Sequence, residues 1–297
     1  SSIFYLKKQI IFCLAGFFVM WFICRFIDYH WYIKRAKLLY WVSIILMALV
    51  QSPIGKGAKG AKRWIMLPGI GQFQPSEVAK IAVILFIPVV ICKLGKKINT
   101  KEGFIHVMVW GLLSAACVYF LTDNLSTAII ILGIAVVLIF VASPKYIQFI
   151  WMGILGIGFM AIFLALESYR LERLAIWRNP EQYEKGYQTL QGLYAIGSGG
   201  LFGRGIGQSV QKLGFLPEAQ NDMIFSIICE ELGLFGAGTI IILFLILIWR
   251  FFIIAINAKD LLGALIVTGA MAHMMIQVIL NIAVVTNSIP NTGITLP

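Results

Sequence analysis

Charge is what this sequence has least of. Lysine, arginine, aspartate and glutamate make up 12% of its 297 residues, about half the roughly 25% of a soluble domain. Acidic residues are the scarcer sign, 13 against 24 basic. With 60% hydrophobic residues and a mean hydropathy of +0.90, the shortfall excludes a soluble globular domain and leaves an integral membrane protein. Histidine is scarce as well, and His30, His106 and His273 stand too far apart in sequence for a visible metal cluster. The five cysteines (Cys13, Cys24, Cys92, Cys117, Cys229) fall inside apolar runs without CxxC spacing, so they read as buried thiols, not disulfides or metal ligands. No charged start with an A-x-A cleavage site, low-complexity run, clear repeat or second domain is visible. The net charge of +11 invites a nucleic-acid partner. Its lysines and arginines are scattered among short loops, however, so the expected partner is anionic lipid at the membrane, with no nucleic acid.

What the sequence has in abundance is apolar runs. Those long enough, or nearly so, to cross about 30 Å of hydrocarbon occupy roughly 9–24, 38–51, 77–92, 104–121, 125–143, 146–166, 223–249 and 261–285. Eight spans place both termini on one side. Loops 25–37, 93–103, 144–145 and 250–260 hold eleven lysines and arginines, and the opposite short segments hold six. The positive-inside bias therefore puts the first set in the cytoplasm, and both termini, loop 52–76 and the long loop 167–222 outside. Apolar and aromatic residues in that long loop, such as Tyr187, Leu190, Tyr194 and Phe202, suit packing on the membrane face.

Several polar constellations interrupt the apolar background. Loop 52–76 carries glycines and basic residues ahead of Trp64, which suits an interfacial belt, and Ser76 is a plausible N-cap of the third span. Glu77 and Lys80, three apart, face the same side. They read either as an ion pair inside a capped helix or as a lysine facing a cavity and an anionic ligand. Asp123 and Asn124 sit in a tight turn that capping explains. The run GSGGLFGRGIG, Gly197 to Gly207, could cradle phosphate through backbone N–H groups. Tight re-entrant turns account for its glycines more simply, and it is not the GxGxxG of a dinucleotide site.

Asp222 ends the polar approach LPEAQN and opens an apolar helix. Water on one side and low dielectric on the other disfavour a charged carboxylate, which is how a general base is tuned toward neutrality. Glu230 lies about 12 Å deeper along the helix, and it and Glu231 read as structural pairing inside the bundle. In the last span His273, Gln277 and Asn281 recur every fourth residue. That stripe must face other helices, for hydrogen bonding, or a wet cavity.

The stretches RWI…QPSEVAK (Arg63 to Lys80), GYQ…GSGGLFGRGIGQS…KLGFLPEAQNDMIF…EELG and the terminal IPNTGITLP resemble the SEDS family of FtsW, RodA and SpoVE. These are the polytopic peptidoglycan polymerases of bacterial division, elongation and sporulation. The wording around FLPEAQNDMIF is nearer FtsW and SpoVE than RodA. The resemblance implies an all-α polytopic membrane fold. The family has ten spans with cytoplasmic ends, so eight here imply that the first and last are missing. Residues 1–297 would form one transmembrane domain in the bacterial cell membrane, with extracellular loop 167–222 and an active site on the extracellular face.

The implied reaction polymerises lipid II and releases undecaprenyl pyrophosphate by an inverting displacement, with Asp222 as catalytic base. Arg63, Lys80 and Arg204 would stabilise the departing pyrophosphate, and Glu77, Gln208, Glu218 and Asn124 complete the implied substrate-binding set. One position departs from the family's P-D-L-G-T: this chain reads Asp123-Asn124-Leu125-Ser126-Thr127, which removes the carboxylate that would pair with Lys80. No cofactor is assigned; a magnesium or manganese ion stays open, without a dedicated cage. A class B penicillin-binding transpeptidase is the implied protein partner. Two competing readings are a lipid II flippase and a scaffold without catalysis, and an intact Asp222 argues against the scaffold.

Overall fold

The computed structural model of the chain describes residues 2–58, 61–67, 71–165 and 168–297. Its elements run α1 (Ser2–Phe26), α2 (Tyr29–Leu49), β1 (Gly55–Ala58), β2 (Ala61–Leu67), β3 (Gly71–Phe73), α3 (Pro75–Leu94), α4 (Lys101–Thr122), α5 (Leu125–Ala142), α6 (Ile147–Ala165), α7 (Ser168–Arg178), α8 (Tyr187–Gly199), α9 (Ile224–Ile256) and α10 (Leu261–Val285). All eight apolar runs fall on helices. Among the described residues, α1, α3, α4, α5, α9 and α10 are long and apolar enough to cross a membrane. Two other helices stand at their expected places: α2, whose first half carries Lys34, Arg35 and Lys37, and α6, an uncharged apolar helix of 19 residues.

The helix boundaries follow local chemistry. Thr100 accepts the Gly103 N–H at 3.1 Å and Asp260 accepts the Gly263 N–H at 2.6 Å, each capping the helix that follows. Asp123 ends α4 in the left-handed region at φ 47°, and Asn124 then caps α5 by accepting the Thr127 N–H at 3.1 Å. At α3 the expected cap is corrected: Gln74 holds the N-cap position, because Pro75 fits the first helical position, where no N–H is needed. Ser76 lies inside that first turn, taking a hydrogen bond from Gln74 Nε2.

Two stretches read as loops are more structured than expected. Residues 52–76 hold a three-stranded antiparallel meander, with Ile65 paired to Gly55 on one side and Phe73 on the other. The pleat turns Ile65 into the bundle and leaves Met66 exposed. Residues 167–222 contain α7 and α8, so the long loop is largely helical at its start. Lys59, counted among the basic residues of loop 52–76, lies outside the described residues, as do positions 166 and 167 and the side chains of Lys8 and Lys56.

The core lies among α2, α3, α4, α5 and α10, where Tyr40, Val83, Ile87, Ile131, Leu138 and Leu265 are fully buried. In hydrocarbon such packing is held by dispersion and shape, since lipid tails are as apolar as the side chains. A second cluster under the long loop joins Leu216, Met223, Phe225 and Cys229 to Val285. By contrast α1 exposes Phe17, Phe18 and Trp21 by more than half, as a helix facing lipid does. The expectation of buried thiols therefore holds for Cys229 alone. Cys13 and Cys24 ride on the exposed α1, and Cys92 and Cys117 are half-buried.

The first part of α9 is set off by a break at Gly233, which has φ 67° and ψ −165°. The N–H groups of Leu234 and Phe235 turn to the carbonyls of Gly200 and Leu201, at 2.9 and 3.2 Å. In return Arg204 and Gly205 donate their N–H groups to the carbonyls of Glu230 and Glu231, both at 2.9 Å. Backbone freed by the break is thus satisfied by another segment, as a low-dielectric setting demands.

Candidate active site

Asp222 stands two residues ahead of α9, delivered by a tight turn. Glu218 takes the left-handed region at φ 55° and its carbonyl accepts the N–H groups of Asn221 and Met223, at 2.9 and 3.4 Å. Leu216 and Met223, 4% and 1% exposed, anchor the turn on either side. The result leaves Asp222 9% exposed. Gln188 of α8 donates to its Oδ2 at 3.4 Å, and Asn281 of α10 donates to its main-chain carbonyl at 2.8 Å.

Asn281 has a second role. Its Nδ2 also donates to the Ile294 carbonyl at 2.7 Å, which ties residues after α10 to the same place. That segment returns across the bundle, held further by Ser126 Oγ on the Thr292 carbonyl at 2.8 Å and Gln277 Nε2 on the Thr295 carbonyl at 3.1 Å. Gly293 passes beside the carboxylate in the left-handed region at φ 65°, and a Cβ there would stand 3.7 Å from Asp222 Oδ2. Glycine is what allows the segment to take that conformation unstrained.

One turn along the α10 stripe, Gln277 Oε1 accepts a hydrogen bond from Lys80 Nζ at 3.2 Å. Lys80 is 2% exposed and also pairs with Glu77 Oε2 at 2.9 Å, whose side chain is half-exposed. A buried ammonium needs such partners, because its desolvation is otherwise costly. Gln277 and Asn281, four apart, so carry one polar seam from Lys80 to Asp222 by hydrogen bonding to neighbouring elements, the first of the two readings open in the sequence. His273 continues it, with an Nε2 that meets no hydrogen-bond partner among the described residues.

Other candidate residues go elsewhere. Arg63 Nη2 donates to the Asp123 carbonyl at 2.8 Å, stitching β2 to the turn between α4 and α5. Asn124 is buried and gives its Oδ1 to the cap of α5, while Lys80 takes Glu77 and Gln277. Arg204 departs most from expectation. Its guanidinium lies 3.6 Å from Glu230 Oε1, and its Nε meets the Ser198 carbonyl at 3.5 Å. Glu230 is fully buried and also accepts from Ser209 Oγ at 2.5 Å, Val210 N at 3.1 Å and Gln211 N at 3.3 Å. Glu231 takes Lys212 and the Gly207 N–H. Arg204 is therefore drawn into a carboxylate knot that organises residues 204–212. The N–H groups of Gly203, Arg204, Gly205 and Gly207 are all taken by protein acceptors, so the glycine run forms a re-entrant turn and not an open anion cradle. Gln208 is exposed, with its N–H on the Gly205 carbonyl, and Glu218 accepts from Asn221 Nδ2 at 2.7 Å. No three His, Cys, Asp or Glu side chains among the described residues gather as a metal site.

Gln188, Gly293 and Thr295 lie within the GYQ and IPNTGITLP stretches, where no local signal marks them individually. Their roles depend on contacts across tens of residues.

A helical multi-pass membrane protein with a buried lysine and a shielded aspartate joined by one polar helix face is the class that fold and site define. Residues 1–297 match, over their whole length, the cell cycle protein family of FtsW, RodA and SpoVE, and the chain belongs to that family. It is 39% identical over 305 residues to stage V sporulation protein E of Bacillus subtilis (strain 168), covering 100% of this chain and 81% of that protein. It is 36% identical over 302 residues to a probable peptidoglycan glycosyltransferase FtsW of Geobacter sp. (strain M18), covering 100% and 81%. Among solved structures it superposes on a chain of a peptidoglycan synthase complex with a TM-score of 0.81, at 24% identity over 98% of this chain and 82% of that one. The rod shape determining protein RodA of Thermus thermophilus gives a TM-score of 0.65 at 24% identity, over 93% and 74%. The fold is that of these bacterial multi-pass membrane proteins.

Proposed function

We propose that this chain polymerises lipid II by an inverting glycosyl transfer with Asp222 as general base. It is a peptidoglycan glycosyltransferase, the activity for which its FtsW relatives are named. In the proposed step the 4-hydroxyl of an acceptor sugar attacks the anomeric carbon of the growing glycan. The new C–O bond forms as the bond to undecaprenyl pyrophosphate breaks, and the hydroxyl proton passes to the Asp222 carboxylate. An α-linked pyrophosphate becomes a β-1,4 linkage, so one displacement and one base suffice.

The observation that carries this reading is the clamp on Asp222. Its main chain is fixed by Asn281 at 2.8 Å, while Gln188 approaches the carboxylate at the outer limit of a hydrogen bond. Held so, the carboxylate is positioned between α8 and α10 at the head of α9. The leaving pyrophosphate needs cations. Lys80 has three N–H donors, of which Glu77 and Gln277 engage two, leaving one for a phosphate oxygen. Arg63, on β2 beside the α4–α5 turn, is the second candidate. A magnesium or manganese ion, if the reaction uses one, would take most of its oxygen ligands from the substrate's phosphates and water.

The charge bias of the short loops supports a single transmembrane domain with eight spans and an active site on the extracellular face, served by residues 167–222. A class B penicillin-binding transpeptidase is the proposed partner, in keeping with the fold shared with the synthase-complex chain.

The test is glycan synthesis from lipid II by purified wild type and Asp222→Asn, each with a transpeptidase partner. Loss of a general base lowers the rate by about 10²–10⁴-fold while lipid II binding and insertion persist. Abundant polymer from the asparagine variant would overturn the role. Lipid II translocation that survives the substitution, with no polymer from wild type, would point to a flippase instead.

A further inference from the structure

The far end of the bundle carries a second concavity that the reaction does not use. Lys93 stands in the last turn of α3, about 20 Å along the axis from Lys80 at 1.5 Å per residue. Beside it, α2, α3 and α4 enclose a cavity of about 550 Å³, with Lys34, Lys37 and Lys93 among its lining and Phe86, Val90 and Trp110 along its walls. An adjoining hollow of about 410 Å³ shares His106 and Trp110 and runs along α4 past Ile105 and Val109 to Glu102. The shared wall is built, not incidental. Trp110 packs edge-on against Phe86 at 5.2 Å and Tyr40 at 5.5 Å, and its Nε1 donates to His106 Nε2 at 3.4 Å.

The three lysines are exposed, and none of them forms an ion pair among the described residues. Lys34 and Lys37 are three apart on α2, so their ammonium groups share a face, opposite Lys93 across the hollow. Three cations at one end and an aromatic and aliphatic trough behind them match an amphiphile with an anionic head. We propose that this groove seats an anionic phospholipid, its phosphate between Lys34, Lys37 and Lys93 and an acyl chain along Phe86, Val90 and Trp110. Basic pockets between membrane helices hold anionic headgroups by this complementarity. Diffuse attraction by surface charge would need no trough, and that difference decides the experiment.

The full chain is purified in mild detergent and titrated with phosphatidylglycerol or phosphatidylcholine of equal chain length, with bound lipid counted by native mass spectrometry. A Lys34→Gln, Lys37→Gln, Lys93→Gln variant is compared with a Lys96→Gln, Lys97→Gln, Lys101→Gln control at the same end of α3 and α4. Wild type should hold phosphatidylglycerol about tenfold or more tighter than phosphatidylcholine. The lining variant should lose that preference and the control keep it, with both unfolding at the wild-type temperature. Glycerol 3-phosphate should fail to compete, since it lacks the chain that fills the trough. Equal loss in both variants would mean diffuse surface charge and overturn the proposal, as would equal binding of the two lipids by wild type.

Discussion

Asp222 and Glu230 stand eight residues apart at the head of α9, and the protein treats them in opposite ways. Glu230 is enclosed by donors: a serine hydroxyl, two backbone N–H groups and a guanidinium converge on it. Asp222 is fixed through its main chain by Asn281, and Gln188 of α8 reaches its carboxylate at 3.4 Å. A carboxylate ringed by protein donors serves to hold the surrounding loop together. Asp222, at the head of α9, is instead positioned through its main-chain carbonyl, which accepts from Asn281. Burial alone does not separate the two roles, since both residues are largely buried; the difference lies in which atoms are tied.

The strongest way to break this contrast is to neutralise both residues. Asp222→Asn should abolish polymerisation by about 10²–10⁴-fold with little change in unfolding temperature. Glu230→Gln should do the reverse. Removing one member of a buried, paired group costs about 3–5 kcal/mol, read as thermal unfolding in detergent, while the folded fraction keeps its rate per molecule. If the two variants failed in the same assay, the contrast would be void.

Lys80→Met sharpens it from the substrate side. The stem keeps its volume but the ammonium is gone, and a charge-assisted contact to phosphate is worth about 1.5–3 kcal/mol. The corresponding fall should appear in kcat/KM for lipid II, and a normal value would remove Lys80 from the site. Gly293→Ala tests the wall beside Asp222. An alanine at φ 65° is strained by about 1–2 kcal/mol, and its Cβ would touch Asp222 Oδ2. Thermal stability should fall by that amount, and the rate should fall with it if the terminal segment shapes the base.

The smallest effect concerns a polar cluster away from both carboxylates. The His30 ring lies 2.8 Å from Asp28 and 3.2 Å from Asp260. Hydrogen bonding to the Asp28 carboxylate raises the His30 pKa. The His30 N–H lowers the Asp28 pKa and the Gly263 N–H lowers that of Asp260. The histidine's contribution is complete below its unfolded value of about 6.5 and is lost as pH rises through its higher folded value. The two aspartates contribute above about 3.9 and lose it as pH falls through their lower folded values. Unfolding temperature should therefore decline on the alkaline side of about pH 6.5, and His30→Ala should flatten that decline.

Much of the scaffold was legible because hydrocarbon imposes a simple rule, that long apolar runs become helices. The Gln277–Asn281 stripe was legible for the converse reason, since polar groups recurring every fourth residue in such a run must face something polar. The meander of residues 55–73 was not, because short strands among glycines carry little alternation to read. Nor was the diversion of Arg204, where a basic residue in a glycine loop looks the same whether it meets a phosphate or a buried glutamate 26 positions further along the chain. Gln188 reaches Asp222 across 34 positions and Gly293 does so from beyond α10. No local pattern encodes such pairs, and only the packing of α8, α9 and α10 brings them together.

The break at Gly233 has a consequence for how this protein tolerates change. The seam between residues 199–205 and α9 is made of main-chain groups, which every residue type but proline supplies in full. What the seam demands is absence of bulk: a Cβ would lie 1.9 Å from the Cys229 carbonyl oxygen at Gly199, 2.2 Å from that of Glu231 at Gly203, and 2.3 Å from the Gly203 nitrogen at Gly233. Exposed neighbours such as Leu201, Phe202 and Ile206 carry no such restriction. A saturation scan across this region should then yield a few sharply intolerant glycines in a permissive background. The information that couples the loop to the span is stored there as missing atoms.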